Sequence, residues 1–157
     1  MPDDGLIPAL SCLMHDGAGL LVGTADAEGV PRGTRGWGLR LDDDGRLRVT
    51  VSADDPAIVE NLTDGLVALT AADVRTLRSA QLKGRVVAVE EPDEDDTTTA
   101  EDQVAAFFQG IVETDGHDTA VLQHILPSRQ LTIVVDVASG FDQTPGPTAG
   151  DELGATR

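Results

Sequence analysis

LLVGTADAEGVPRGTRGWGLRLDDDGRLRVTV, residues 20–51, decides the fold. Three strand-like runs are separated by two turns. The apolar run Leu20–Ala25 stops at Asp26-Ala27-Glu28-Gly29, a turn closed by glycine. A second run, Val30–Leu41, stops at Asp42-Asp43-Asp44-Gly45, where Asp44-Gly45 suits a tight hairpin with positive φ. From Arg46 to Ser52 the alternation is clean: Leu47, Val49 and Val51 share one face, and Arg48, Thr50 and Ser52 the other. Two hairpins in series make a meander, and short strands with glycine turns point to a barrel or a sandwich. The middle run carries Gly33, Gly36 and Gly38 beside Arg32, Arg35 and the single tryptophan, Trp37. Glycine weakens a strand, and inside one it marks a bulge or the close approach of a ligand.

The rest of the chain reads as cover for this meander. Its 157 residues suit one domain able to bury most of its apolar surface. Aromatics are scarce (three Phe, one Trp, no Tyr), so the expected core is aliphatic. No apolar run approaches ~20 residues, which excludes a helical membrane span. The start, MPDDGLIPAL, lacks the pattern of a secretory signal, and Cys12 is the single cysteine, which together suggest a reducing, cytoplasmic setting. A net charge of −17 argues against nucleic acid and anionic membrane surfaces as partners.

The charge is uneven. Residues 32–85 hold nine basic side chains (32, 35, 40, 46, 48, 75, 78, 83 and 85) and eight acidic ones; the remainder holds two basic and twenty acidic. Positive charge therefore collects on the expected sheet. It reads either as solvated strand faces or as a pocket for a small anion.

Outside the meander, a short helix is expected near Ile7–Met14, with Ile7, Leu10, Leu13 and Met14 on one face. Asp55 caps a second helix with Pro56 at its first position and Gly65 closing its end. Leu66–Ala71 is apolar enough for a strand buried on both faces. Ser79–Glu90 alternates, with Ser79, Gln81, Lys83 and Arg85 on a polar face turned either to water or to a ligand. The like-charged run 90–96 is expected to be a mobile loop, and a long helix starts at Thr98 or Thr99 with Glu101 or Asp102 completing a capping box. Val104, Phe107, Phe108, Ile111 and Val112 form its core stripe. Asp118–Leu126 is a further helix and Gln130–Ser139 the last strand. A single folded domain is placed at 1–140, followed by a Pro/Gly-rich tail, 141–157, that either frays or folds back.

Catalytic motifs are missing. Gly-x-Ser-x-Gly and the phosphate-binding Gly-x-x-x-x-Gly-Lys-Ser/Thr stretch do not occur. His15, His117 and His124 lack metal-ligand spacing with any cysteine or third histidine, so no metal site is expected. What remains is a glycine-loosened strand whose backbone can lie against a flat ring, with Arg32 and Arg35 nearby and Thr50, Gln81 and Lys83 offering hydrogen bonds.

The ordered set of features resembles the pyridoxamine 5′-phosphate oxidase-like family of flavin-binding split barrels. It comprises GTAD, D-x-E-G-x-P-R, R-G-x-G, D-D-G-R-L-R-V, E-N-L, V-A-L and Q-L-K-G, between Leu20 and Val89. The closing Q-T-P-G-P-x-A-G is similar to the tail of a small bacterial branch of that family. The resemblance implies a mainly β (α+β) fold, a six-stranded antiparallel split β-barrel with flanking helices. It also implies a homodimer with FMN at the subunit interface, acting as an oxidoreductase on a small-molecule ligand. The flavin-contacting arginine strand falls on Arg32, Gly33, Thr34 and Arg35. The ribityl-phosphate strand end falls on Val49, Thr50, Val51 and Ser52, and the ring-contacting polar strand near Ser79 and Gln81, with Lys83 beyond.

Two departures stand out. Where relatives place basic residues after the third strand, this chain reads Ala53-Asp54-Asp55-Pro56. A carboxylate ~5 Å from a phosphate costs roughly 3 kcal/mol per charge pair at an effective dielectric of ~20. The Arg- and Trp-bearing C-terminal segment of the true oxidases has no counterpart, so pyridoxamine phosphate is not the expected substrate. Alternatives are a deazaflavin- or heme-using relative, in which one of the three histidines would ligate the heme, and a non-catalytic dimeric binding module.

Overall fold

The computed structural model describes residues 6–154, with side chains from residue 9 onward. The expectations for residues 1–5 and 155–157, and the packing expected of Ile7, lie outside it. Among the described residues, six strands close into a barrel in the order β1-β2-β3-β6-β5-β4, every neighbouring pair antiparallel. The strands are β1 (Gly19–Ala25), β2 (Pro31–Leu41), β3 (Leu47–Ser52), β4 (Leu66–Ala72), β5 (Ser79–Glu90) and β6 (Gln130–Asp142). Helices α1 (Leu6–His15), α2 (Pro56–Leu62), α3 (Glu94–Asp115) and α4 (Thr119–Leu122) flank them, and a tight turn of helix at Gln123–Ile125 follows α4. The meander suggests a barrel or a sandwich and the family resemblance implies a barrel; the structure forms the closed barrel.

Period-two alternation fills the barrel. Leu20, Val22, Leu47, Val49, Val51, Leu69, Leu82, Ile133 and Val135 point inward and are almost wholly buried, joined by Leu10 and Met14 of α1 and Ile58 and Leu62 of α2. A second, smaller core lies outside the barrel wall, where Phe107, Phe108 and Ala100 of α3 meet Trp37 and Leu122. A bulge between Gly36 and Gly38 makes this packing possible. A side chain at Gly38 would meet Ala100 Cα at 2.8 Å, and one at Gly36 would collide with the Leu20 side chain. Gln103 then satisfies the backbone of Leu39 from both sides: its amide oxygen accepts from the Leu39 N–H and its nitrogen donates to the Leu39 carbonyl, each at 2.9 Å.

Several local expectations are corrected. The acidic run 90–96 is not a free loop but leads into α3: Asp93 is the cap, and it and Asp96 form a reciprocal capping box. Three carboxylates in a first turn are favoured by the helix dipole, and Asp96 is held further by Arg40 Nε (2.8 Å), Arg48 Nη2 (2.7 Å) and the Thr132 hydroxyl (3.0 Å). Burial alone would raise the Asp96 pKa, but these bonds hold its carboxyl far below the ordinary range. Helix α2 has the expected Asp55 cap and leading Pro56, yet it ends at Thr63, and the left-handed residue is Asp64 rather than Gly65. In the 42–45 turn only Gly45 takes positive φ, and Asp42 organises it by accepting from the Asp44 and Arg46 amides. Strand β4 is buried on one face only: Leu66 is 66% exposed. The last strand runs three residues past Ser139, and the tail folds back on it. Phe141 pairs with Glu152, the Leu153 N–H donates to the Gly140 carbonyl (2.8 Å), and Leu153 packs on the main core.

No helix among the described residues is long and apolar enough to cross a membrane.

Candidate functional site

The helices cover only part of the barrel. The outward face of β2-β1-β4-β5 stays open, and register aligns its side chains in rows. Arg35, Leu21, Thr70 and Gln81 form one row; Gly33, Gly23, Ala68 and Lys83 form the next. In the third row, Pro31 and Ala25 lie on one side and Leu66 and Arg85 on the other. The middle row is a bare strip of backbone. A side chain at Gly33 would find only the Val22 carbonyl, 4.0 Å away, and one at Gly23 only Ala68, at 3.8 Å. Packing therefore explains Gly36 and Gly38 of the glycine-rich strand, but not Gly33 or its cross-strand partner Gly23.

Two clefts open over this strip. The first, about 590 Å³, is lined by Gly33, Thr34, Arg35, Trp37, Ser52, Asp54, Thr70 and Gln81 among others, with Ile125 and Pro127 on the far wall. The second, about 750 Å³, is lined by Arg32, Leu66, Lys83, Arg85, Asp136 and neighbours. Gly23 and Ala68 line both.

The structure thus brings Gly33, Thr34, Arg35, Ser52 and Gln81 to one cleft and Arg32 and Lys83 to the other. Of the strand end 49–52, Ser52 alone lines a cleft: Val49 and Val51 are in the barrel core, and Thr50 is buried beside Gly38. Ser79 lies outside both clefts. Its N–H donates to the Thr144 hydroxyl at 3.0 Å, so the folded-back tail holds it. Leu21 and Thr70 join the site unannounced by any motif, while Gly23 and Ala68 fall within the GTAD and V-A-L stretches and Arg85 on the polar face of β5 without being singled out; their cross-strand register with Gly33, Gln81 and Lys83 is the signal that finds them.

The polar groups of the first cleft are few. Gln81 Nε2 donates to the Thr70 hydroxyl at 2.9 Å, which fixes the amide oxygen's orientation. Trp37 is 4% exposed and its indole N–H is buried without a partner among the described residues. Asp54 pins the chain just before β6. Its carboxylate accepts from the Ser128 hydroxyl (2.6 Å) and from the Ser128 and Arg129 amides (3.0 and 2.9 Å). The Ser128 hydroxyl and then its amide hold the Asp54 carboxyl below the usual range, so it is charged on the cleft rim at neutral pH. Asp55 caps α2 through the Ala57 amide.

Chemically, the first cleft fits a flat ring better than a phosphate. Its floor is backbone and small side chains, where an aromatic system can lie at van der Waals distance. Arg35 and the Gln81–Thr70 pair stand at the end of that floor as hydrogen-bonding groups for polar ring atoms. Among the described residues, Asp54 is the only acidic group lining it, and no histidine lines either cleft. His15, His117 and His124 are all exposed, and no three ligand-type side chains converge among the described residues.

No protein-family model matches the sequence, and no curated protein does. Solved structures do match in fold. HupZ of Group A Streptococcus is 16% identical, over 91% of this chain and 98% of that chain, with a TM-score of 0.52. An F420 reductase is 17% identical over 83% of this chain and 94% of that one, TM-score 0.53. A Clostridium acetobutylicum protein related to general stress protein 26, of the pyridoxinephosphate oxidase family, is 15% identical over 86% and 85%, TM-score 0.51. Closed six-strand topology, strand order and these likenesses agree: the chain has the split-barrel fold of the pyridoxamine 5′-phosphate oxidase-like proteins.

Proposed function

We propose that this chain is a homodimeric, FMN-dependent oxidoreductase of a small molecule, with the flavin ring lying over Gly23, Gly33 and Ala68. The observation that carries this reading is the bare Gly23–Gly33 strip, which nothing in the chain's own packing requires. A ring seated there has its polar edge toward Arg35 and Gln81, and a guanidinium in that place stabilises negative charge on the reduced ring. When bound, the flavin supplies the hydride or electron transfer; the protein binds, orients and shields it.

A second copy of the chain is the cover this face calls for. Leu21 and Leu66 are 55% and 66% exposed on it, on either side of the strip. Pairing two such faces buries both leucines and excludes water from the ring. The F420 reductase among the fold relatives supports a deazaflavin as the alternative ring for the same strip. The scarcity of acid–base groups in the cleft favours the other reading, a non-catalytic module that binds the ring without turnover.

The test is the visible spectrum and oligomeric state of freshly purified protein, with any released ligand identified by mass. A dimer carrying or taking up FMN, and reducing it with a nicotinamide donor, is the expected result. A colourless monomer that takes up neither FMN nor a deazaflavin contradicts the reading, and FMN uptake without turnover assigns the protein to the binding-module class.

A further inference from the structure

The second cleft gathers positive charge that the chain's own carboxylates leave unmatched. Outside the two clefts, the described arginines face carboxylates: Arg40 and Arg48 bind Asp96, Arg46 binds Asp136, Arg75 binds Glu113, Arg129 binds Glu91, and Arg78 lies in the field of Asp142. Arg32, Lys83 and Arg85 line this cleft, and none makes an ion pair among the described residues, in a chain with 28 carboxylates and 11 basic side chains; Arg32 stands at its edge, where it also borders a neighbouring cleft lined by Asp26, Glu28, Glu60 and Asp64. Arg85 donates to the Asp64 carbonyl (2.7 Å), and Lys83 Nζ rests over the Phe141 ring, 5.0 Å from its centre. Both are thus steadied by uncharged groups and stay available to an anion. Among the described residues, Asp136 is the only carboxylate lining the cleft, and Arg46 binds it at 3.2 Å.

The two clefts are also one trough. Gly23 and Ala68 form part of both floors, and Lys83 stands in the same cross-strand row as Gly33, Gly23 and Ala68. At ~4.8 Å per strand, Lys83 lies about 10 Å from Gly23 along that row. That is the reach of a short flexible arm from a ring seated on the strip. The opposite end of the strip, by contrast, carries the ionised Asp54.

We infer that the ligand's phosphate-bearing arm runs into the second cleft and is held by Arg32, Lys83 and Arg85, not by the strand end at Ser52. The inference rests on the ring-binding reading above but concerns a different group of the ligand. It makes the ligand class a planar ring carrying an anionic arm, and it gives the three unmatched cations a partner.

FMN, riboflavin and inorganic pyrophosphate, each titrated into the full chain at low salt, test it. FMN is expected to bind at least about tenfold tighter than riboflavin, as one or more charge-assisted hydrogen bonds dictate. Lys83→Gln and Arg32→Gln should bring FMN down toward riboflavin while leaving riboflavin unchanged, and Lys83→Arg should keep the gap. Both residues are exposed, so neither substitution threatens the fold. Equal binding of FMN and riboflavin overturns the arm assignment and leaves the ring reading standing. A gap that survives both substitutions but falls with Ser52→Ala places the phosphate at the strand end and also overturns it. If neither flavin binds, the ring reading fails. Pyrophosphate binding lost in Lys83→Gln then upholds the anion site alone, and no pyrophosphate binding overturns that as well.

Discussion

Arg48 grips Asp96 through two parallel bonds, Nε to Oδ1 at 3.0 Å and Nη2 to Oδ2 at 2.7 Å, joining β3 to the first turn of α3. Asp96 has only 1% of its side chain exposed, and Arg40 Nε donates to the same Oδ1 at 2.8 Å. The joint fastens the long helix to the barrel at its N-terminal end, while Trp37 and the two phenylalanines fasten it farther along.

Replacing Asp96 strands two largely buried guanidinium groups. Asp96→Asn is expected to destabilise the fold by about 3 kcal/mol, the size found when one partner of a buried pair is removed. Chemical denaturation measures it.

The same carboxylate sets an acid limit. Its folded pKa is depressed, so its contribution is complete above the unfolded carboxylate value of ~3.9 and drains away as pH falls toward the folded value. Wild-type stability should therefore fall progressively below about pH 4, and Asp96→Asn should show a shallower acid slope there. Identical slopes in the two proteins would remove Asp96 from the account.

Asp54 gives a prediction of a different kind. Asp54→Ser removes the acceptor for the Ser128 and Arg129 amides, so hydrogen exchange at both should accelerate. It also removes a negative charge from the cleft rim, so the affinity for any anionic flavin should rise rather than fall. Unchanged exchange at residues 128 and 129 would show that the segment is held by something else.

The tail is a structural clip. Thr144 exchanges hydrogen bonds with the Ser79 backbone, and Leu153 packs on the core. A chain ending at Asp142 should lose about 1–2 kcal/mol, read as a lower Tm, with faster exchange at Ser79.

Much of the barrel is legible in the alternation of residues 46–52, 79–90 and 130–139, because inward positions must be apolar whatever the partner strand is. The acidic run 90–96 is not legible in the same way. Its own charges suggest repulsion, and the arginines that neutralise it stand about fifty residues upstream, beyond any local pattern. The Asp93-x-x-Asp96 spacing is the available signal, since aspartate can close a capping box as glutamate does. Strand β4 misleads for a related reason: an apolar run fits burial on both faces, or burial on one face with the other left for a partner or ligand. The glycines of β2 look alike in sequence, and only the surroundings of each missing side chain separate Gly33 from Gly36 and Gly38. Arg35, Gln81 and Lys83 fall on polar positions that the residues alone leave to water or to a ligand and that the family resemblance places near a ligand; their division between two joined clefts follows from a register that no single strand contains.

That separation of glycines is directly testable. Gly38→Val should cost about 1–3 kcal/mol through collision with Ala100 of α3, whereas Gly33→Val should leave stability within about 0.5 kcal/mol.

The most direct test of the central claim is a titration of FMN into wild-type protein and into Gly33→Val, followed by flavin fluorescence. Wild type should bind saturably, and Gly33→Val should bind at least about tenfold more weakly with its Tm unchanged, because the new side chain occupies the strip. Equal binding by the two proteins, or no binding by wild type at high micromolar FMN, would contradict it.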